Sequence, residues 1–301
     1  MTQRLLLRLS VAATLALGSV ALSAQLLPST PAKGFGASVT PAYEGWFDNP
    51  DGTHNFLIGY YNRNTQSEVD IPLGPNNRFD TPNPDLGQPT HFLTRRRFGM
   101  FIVTMPKEYQ KTQKFYWTLT TNGVTTTVPF HMHTDYNITP MKSSEESPTR
   151  EFNIPPKIRF TQNGPIFTGP FGQMSKALER TATAGTPMPL QIWADDDAQY
   201  SSGGNGPMGE NRPVVTPILS KYRGPGKVTM AAAPRFETTT GGKPLMPYSG
   251  QMTTTATFDQ PGEYFVHVNI NDYSGNGGGG SGCCWTTVLL KVNVRPAQTA
   301  N

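Results

Sequence analysis

The chain has 301 residues, 36% of them hydrophobic and only 15% charged, with 30 Gly, 28 Pro and a formal net charge of +4. Sparse charge with abundant Gly and Pro suits short strands joined by many turns, and leaves no long helix to expect. So small a net charge makes no case for nucleic acid or an anionic membrane surface as a partner.

Residues 1–24 read as a secretory signal peptide: Arg4 and Arg8 open it, an apolar run follows, and Ser23 and Ala24 are the small residues of a cleavage site. The apolar part is short for a span of about 20 residues. No cysteine follows the cleavage site to carry a lipid, and no later apolar run is long enough for a bilayer. The mature chain is therefore expected to have no transmembrane span, to be secreted or periplasmic, and to carry +2 once the two arginines are gone. Residues 25–39, rich in Pro, Ser and Gly, form a mobile leader.

A first β-sandwich is expected over 40–139. Asn55 to Tyr61 alternates, with Phe56, Ile58 and Tyr60 on one face. Residues 72–89 hold five prolines and read as a long loop rather than a strand. Phe98 to Met105 is apolar on both faces, as a central strand between sheets would be. Phe115, Trp117 and Leu119 alternate inward, and Asn122-Gly123 makes a tight turn whose two residues both tolerate positive φ. Val124 to Val128 returns, and Pro129 makes that strand an edge or its end, because proline donates no ladder hydrogen bond.

Residues 140–155 gather Pro, Ser and charge without periodicity, which marks a linker. A second sandwich is expected over 156–296, with 297–301 as a tail. Met174 to Thr183 is the best helix candidate, and Leu190, Ile192 and Ala194 open the strands of this sandwich. Near its end, Tyr264, Val266, Val268 and Ile270 share one face while Phe265, His267, Asn269 and Asn271 share the other; Val288, Leu290, Val292 and Val294 repeat the pattern beyond a glycine-rich tip.

The runs Ser220-Lys221-Tyr222-Arg223-Gly224-Pro225-Gly226-Lys227-Val228, Thr254-Thr255-Ala256-Thr257-Phe258 and Pro261-Gly262-Glu263-Tyr264 resemble a PKD-like domain of the immunoglobulin-like superfold, over roughly 156–296. Such domains occur in many bacterial surface proteins and host unrelated roles, so the resemblance implies a fold and a bacterial, exported setting rather than an activity. Asp259 to Tyr264 also reads as a tyrosine corner. The first half, with EGWFDNPDGT and GYYNRN, resembles uncharacterised secreted bacterial proteins. The fold expected is all-β: two immunoglobulin-like sandwiches in tandem after a signal peptide.

Candidate sites are few. If the strand before them continues, His131, His133 and Asp135 fall on one face, a ligand set for zinc or another transition metal. Alternatively Phe130, Met132 and Tyr136 form the buried face and the polar trio meets water. Asp195, Asp196 and Asp197 end a strand beside a loop carrying Asn205, Glu210 and Asn211, and oxygen ligands converging there would suit calcium. Cys283 and Cys284, the only cysteines, are expected to form a vicinal disulfide in an oxidising compartment; pairing with another chain and burial as thiols are the alternatives. Closing the hairpin sets His267 opposite Leu289, nearly 20 Å from that pair at about 3.3 Å per residue, so no joint metal site arises. Arg95, Arg96 and Arg97 precede a strand and read as solvated.

No G-x-S-x-G elbow, H-E-x-x-H or paired-carboxylate motif is present, and neither His54 nor His91 has a nucleophile beside it in sequence. The function expected is a non-enzymatic exported protein that binds or scaffolds an unknown protein or glycan at the cell surface, without a cofactor. Trp46, Tyr60, Tyr61 and Trp285 are the rings that would stack on a sugar, or else are core residues. The rival reading is a metal-dependent secreted enzyme built on His131, His133 and Asp135, with calcium or a transition metal as cofactor.

Overall fold

The computed structural model of the chain describes residues 31–141, 154–197, 215–231, 235–236, 248–272 and 284–297. The signal peptide, most of the linker, Asn205, Glu210, Asn211 and Cys283 lie outside the described residues. Ala32–Asn301 is one compact unit. Its regular secondary structure among the described residues is all strand apart from two short 3₁₀ turns. No helix among them is long and apolar enough to cross a membrane.

The first half packs two three-stranded sheets. One orders β1 (Val39–Asp48), β2 (His54–Asn62) and β6 (Arg95–Met105); the other orders β4 (Asn77–Phe79), β7 (Phe115–Thr121) and β8 (Val124–Phe130). A two-residue ribbon of β3 (Val69–Asp70) and β5 (His91–Phe92) lies beside them. The two sheets pack face to face as an antiparallel β-sandwich. The alternation seen in sequence fills its core: Phe56, Ile58 and Tyr60 from β2 meet Phe115, Trp117 and Leu119 from β7. Asn122 and Gly123 take φ of 49° and 74°, as the hairpin requires, and β8 is an edge strand.

Two expectations change here. The proline-rich loop contains β4, too short at three residues for a period to show; Asn77 buries its amide on Ile71 O and Pro89 O at 2.9 and 2.8 Å and accepts from Trp117 Nε1 at 2.9 Å. Strand β6 is an edge of its sheet, not its centre. It is buried on both faces because the second half covers it: Ile102 N donates to Gly172 O at 3.3 Å.

The second half is a sandwich of β13 (Val228–Met230), β14 (Tyr248–Phe258), β11 (Met188–Asp196) and β9 (Lys157–Arg159) against β10 (Leu178–Thr183), β16 (Trp285–Arg295), β15 (Gly262–Asn271) and β12 (Thr216–Arg223). Within the expected bounds its strands begin before Leu190, at β9, with Ile158 in its core. The helix candidate is a 3₁₀ turn at Met174–Lys176 followed by β10, which pairs in parallel with β16; β-branched Thr181 and Thr183 suit the strand. The tyrosine corner is present. Tyr264 Oη donates to Gln260 O at 3.0 Å and accepts from Gly226 N at 3.1 Å.

Strand β15 decides how the halves relate. Tyr264, Val266, Val268 and Ile270 enter the core of the second sandwich. Phe265, from the opposite face, joins Leu289 and Tyr222 in the core of the first. A fully buried side chain of this size contributes about 1.5–3 kcal/mol, so the seam is a core and not a contact of two finished surfaces. The run Ser220 to Arg223, which carried part of the resemblance, ends β12 at this seam. Thr90 N donates to Tyr222 O at 3.1 Å. Arg223 sends Nη2 and Nη1 to the two Asp85 oxygens at 2.7 and 2.9 Å, and Nε to Gln88 O at 2.7 Å.

Candidate functional site

The histidine trio does not lie on a strand. Strand β8 ends at Phe130, His133 N donates to His131 O at 2.9 Å, and the chain enters a 3₁₀ turn at Thr134–Tyr136. His133 caps that turn, its Nδ1 accepting from Asp135 N at 3.2 Å. The His131 and His133 rings meet edge to face with centroids 5.8 Å apart. Among the described residues no three His, Cys, Asp or Glu side chains are grouped to hold a metal. The expected transition-metal face fails because the period of two stops one residue before it. Phe130 and Met132 are buried as the alternative had it, but Tyr136 is 47% exposed.

Asp195 and Asp196 do not converge either. On β11 successive side chains take opposite faces. Asp196 points inward with Ile192 and Ala194, whereas Asp195 points outward to Arg159 Nη2 at 2.5 Å and Ser249 Oγ at 2.7 Å. Asp195 is thus already ion-paired with an arginine, and the loop residues of the expected calcium site lie outside the described residues.

Trp46, Tyr60 and Trp285 are buried, so none offers a ring face to a sugar. Trp46 Nε1 donates to His133 O at 2.7 Å, and Tyr60 Oη accepts from Leu93 N at 2.8 Å. Tyr61 is half-buried under the Arg63 guanidinium, 5.0 Å from its centroid. Cys284 is disulfide-bonded.

The site that sequence reasoning missed is a cavity of about 100 Å³ at the seam between the halves. Its wall is the outward face of β12, β15 and β16, flanked by the start of β6 and open to solvent on one side. Register supplies its polar groups: Ser220 lies opposite His267, and Ile218 opposite Asn269; His267 in turn lies opposite Leu289, as the hairpin count required. His267 Nε2 donates to Met100 O at 3.1 Å, and its ring stacks on Tyr222 at 5.9 Å. Burial pushes the imidazole's pKa down to about 4, against the bond to Met100 O and with help from the Arg97 charge. The ring is therefore neutral, with Nδ1 as an acceptor.

Three lining side chains carry a buried polar atom with no hydrogen-bond partner: Ser220 Oγ, His267 Nδ1 and Trp285 Nε1. Such a group costs about 1–3 kcal/mol if left unsatisfied. The arginines differ in their charge balance. Arg96 pairs with Glu44 at 2.7 Å, whose carboxyl burial raises to about 7 despite the guanidinium. Arg97 sends Nε to Thr94 O at 3.2 Å and has no ion pair among the described residues. The expected solvated arginines are in this respect corrected: Arg96 and Arg97 line the cavity.

A second cleft along the same seam holds His91 between two carboxylates, Nδ1 to Asp70 at 2.9 Å and Nε2 to Glu68 at 3.0 Å, with Lys221 on Asp70 at 3.2 Å. Every member of this cluster has a partner.

No protein-family profile matches the chain, and no curated protein does. Among solved structures, domains 4 and 5 of the S-layer protein SbsC are similar over 86% of this chain and 98% of theirs, at 12% identity and a TM-score of 0.22. A protein of unknown function from Porphyromonas gingivalis W83 is similar over 85% and 100%, at 9% identity and a TM-score of 0.21. Scores this low carry no argument about fold or function.

Proposed function

We propose that the chain is a non-enzymatic, exported bacterial protein that binds or scaffolds at the cell exterior or in the periplasm, its second half being a PKD-like module. The observation that carries this reading is the seam. Two sandwiches share one core across it, giving a stiff body, and leave a cavity there whose buried polar atoms lack partners. Binding, rather than turnover, is supported by how the imidazoles are used: His54 on Asp48 at 2.6 Å, His91 on two carboxylates, and His267 on Met100 O. The burial of Trp46, Tyr60 and Trp285 favours a protein or small-molecule partner over a stacked glycan. No metal or other cofactor enters this reading.

Expression of the full chain in a bacterial host, followed by cell fractionation and intact-mass measurement, tests it. The expected product is an exported chain cleaved after Ala24. Uncleaved protein confined to the cytoplasm would overturn the reading.

A further inference from the structure

We propose that the outward face of the second sandwich, around Trp193, binds a glycan chain of all-equatorial pyranose units, such as a β-1,4-linked glucan or chitin oligomer. The inference rests on the reading of the chain as a binding protein and names a ligand class for it. Three of the four indoles, Trp46, Trp117 and Trp285, are buried, as is the Tyr60 ring. Their burial disqualifies those rings only. Trp193 is the exception, half-buried on β11.

Strand β11 alternates, so Leu190, Ile192 and Ala194 enter the core while Gln191, Trp193 and Asp195 face out. The core and the other sheet of the sandwich separate this surface from the seam. Register surrounds the indole with polar groups. Gln251 lies directly opposite it on β14 and Arg159 on β9; the next rungs pair Gln191 with Thr253 and Asp195 with Ser249. Cross-strand partners have β-carbons about 5 Å apart, and side chains two residues along a strand are about 7 Å apart, the dimensions of one or two sugar rings. Gln191, Gln251, Ser249 and Thr253 are exposed. Arg159 Nη2 at 2.5 Å and Ser249 Oγ at 2.7 Å hold Asp195 in place, leaving its carboxylate further lone pairs to offer. Neither glutamine amide nor Trp193 Nε1 has a hydrogen-bond partner among the described residues, and none of them is sealed from solvent as Trp285 Nε1 is.

Chemistry selects the ligand. An all-equatorial pyranose carries its hydroxyls in a rim and leaves axial C–H groups over both faces of the ring. One such face fits an indole, an apolar body with a polar handle, while the rim meets the donors and acceptors of Gln191, Gln251 and Asp195. A protein partner fits worse. A stable interface takes about 800 Å² a side around an apolar centre, and the large apolar side chains here are Trp193 and, beyond Arg159 by the antiparallel bridge of Ile158 with Phe167, Ile166. Asp195 already meets the Arg159 charge, so the centre of the face calls for a neutral ligand.

Isothermal titration calorimetry of the purified chain with cellotetraose and with chitotetraose tests the assignment, sorbitol serving as a polyol without a ring face. At least one tetrasaccharide is expected to bind, and sorbitol is not. Trp193→Ala is expected to weaken binding about tenfold, the worth of one stacked ring, with an unchanged far-ultraviolet spectrum. Trp193→Phe should keep most of the affinity. Gln251→Ala should cost about threefold to tenfold, one hydrogen bond, and decides the matter if the alanine variant at Trp193 fails to fold. Binding of neither tetrasaccharide, or sorbitol bound equally well, overturns the proposal. Unchanged affinity in a folded Trp193→Ala variant places the glycan elsewhere and overturns the site. Those results leave an exported scaffold standing, whereas cytoplasmic retention sinks the exported reading without touching this chemistry.

Discussion

The indole of Trp285 lies over Gly99, and a β-carbon on that glycine would sit 2.2 Å from its Cζ2. Gly99 also has φ of 49°, where an L side chain is strained. Gly99→Ala is therefore expected to destabilise the protein by about 2–4 kcal/mol, overpacking and strain together. Gly36, with φ of 72° and nothing within 4 Å of its would-be β-carbon, isolates the strain, and its alanine variant should cost about 1 kcal/mol. Urea denaturation of both variants checks the difference; equal losses would mean that the close approach to Trp285 does not matter.

Arg223 is 9% exposed and grips Asp85 through two oxygens while its Nε holds Gln88 O. Burial pushes the Asp85 carboxyl up, but the hydrogen bonds from Arg223 and Gly87 N outweigh it and leave the pKa below its ordinary value. A lysine keeps the charge but not the fork, so Arg223→Lys should cost about 1–3 kcal/mol. Because the pair lies at the shared core, the wild type should melt in one calorimetric transition and the variant should broaden or split it. A sharp, unshifted transition in the variant would refute the clamp.

The cluster around His91 should leave a pH signature. Burial opposes the imidazolium, but bonds from Asp70 and Glu68 outweigh it and raise the pKa above 6.5. A raised histidine stabilises fully below its unfolded value and loses that stabilisation as pH rises through the folded one. The bond to His91 lowers the carboxyls of Glu68 and Asp70 below 4.5 and 3.8, so their share is lost only in stronger acid. The Tm deficit of His91→Gln should thus be largest near pH 5–6 and shrink by about pH 8. Comparing variant with wild type cancels the opposing titrations of Glu44 and His267. A deficit that grows toward alkaline pH would contradict the assignment.

Tyr264→Phe removes one hydroxyl that serves both Gly226 N and Gln260 O. The expected loss is about 1–3 kcal/mol, read by chemical denaturation. A neutral substitution would show that water replaces the phenol.

Much of the fold was legible because alternation is local. The apolar faces of β2, β7, β15 and β16 were read correctly, as were the Asn122-Gly123 turn and the tyrosine corner. What failed needed longer range. His267, Asn269 and Asn271 look like a solvent face in any short window, yet His267 is buried because Met100, 167 residues away in sequence, lies against it. Strand β4 was too short to carry a period, and the trio at His131 was misplaced because Pro129, which fits an edge strand as well as a strand end, did not by itself fix where β8 stops. The cavity was invisible for the same reason: its lining comes from β6, β12, β15 and β16, and only the docking of the halves assembles it.

The parallel pairing of β10 with β16 has a mechanical consequence. Leu178 sits beside Leu290 and Thr183 beside Arg295, so the chain enters the pair at one end and leaves it at the other. Tension applied upstream of Leu178 and downstream of Arg295 slides the two strands along each other, and their rungs must yield together instead of unzipping one by one. A protein that carries load between anchoring points would be tethered through those two ends.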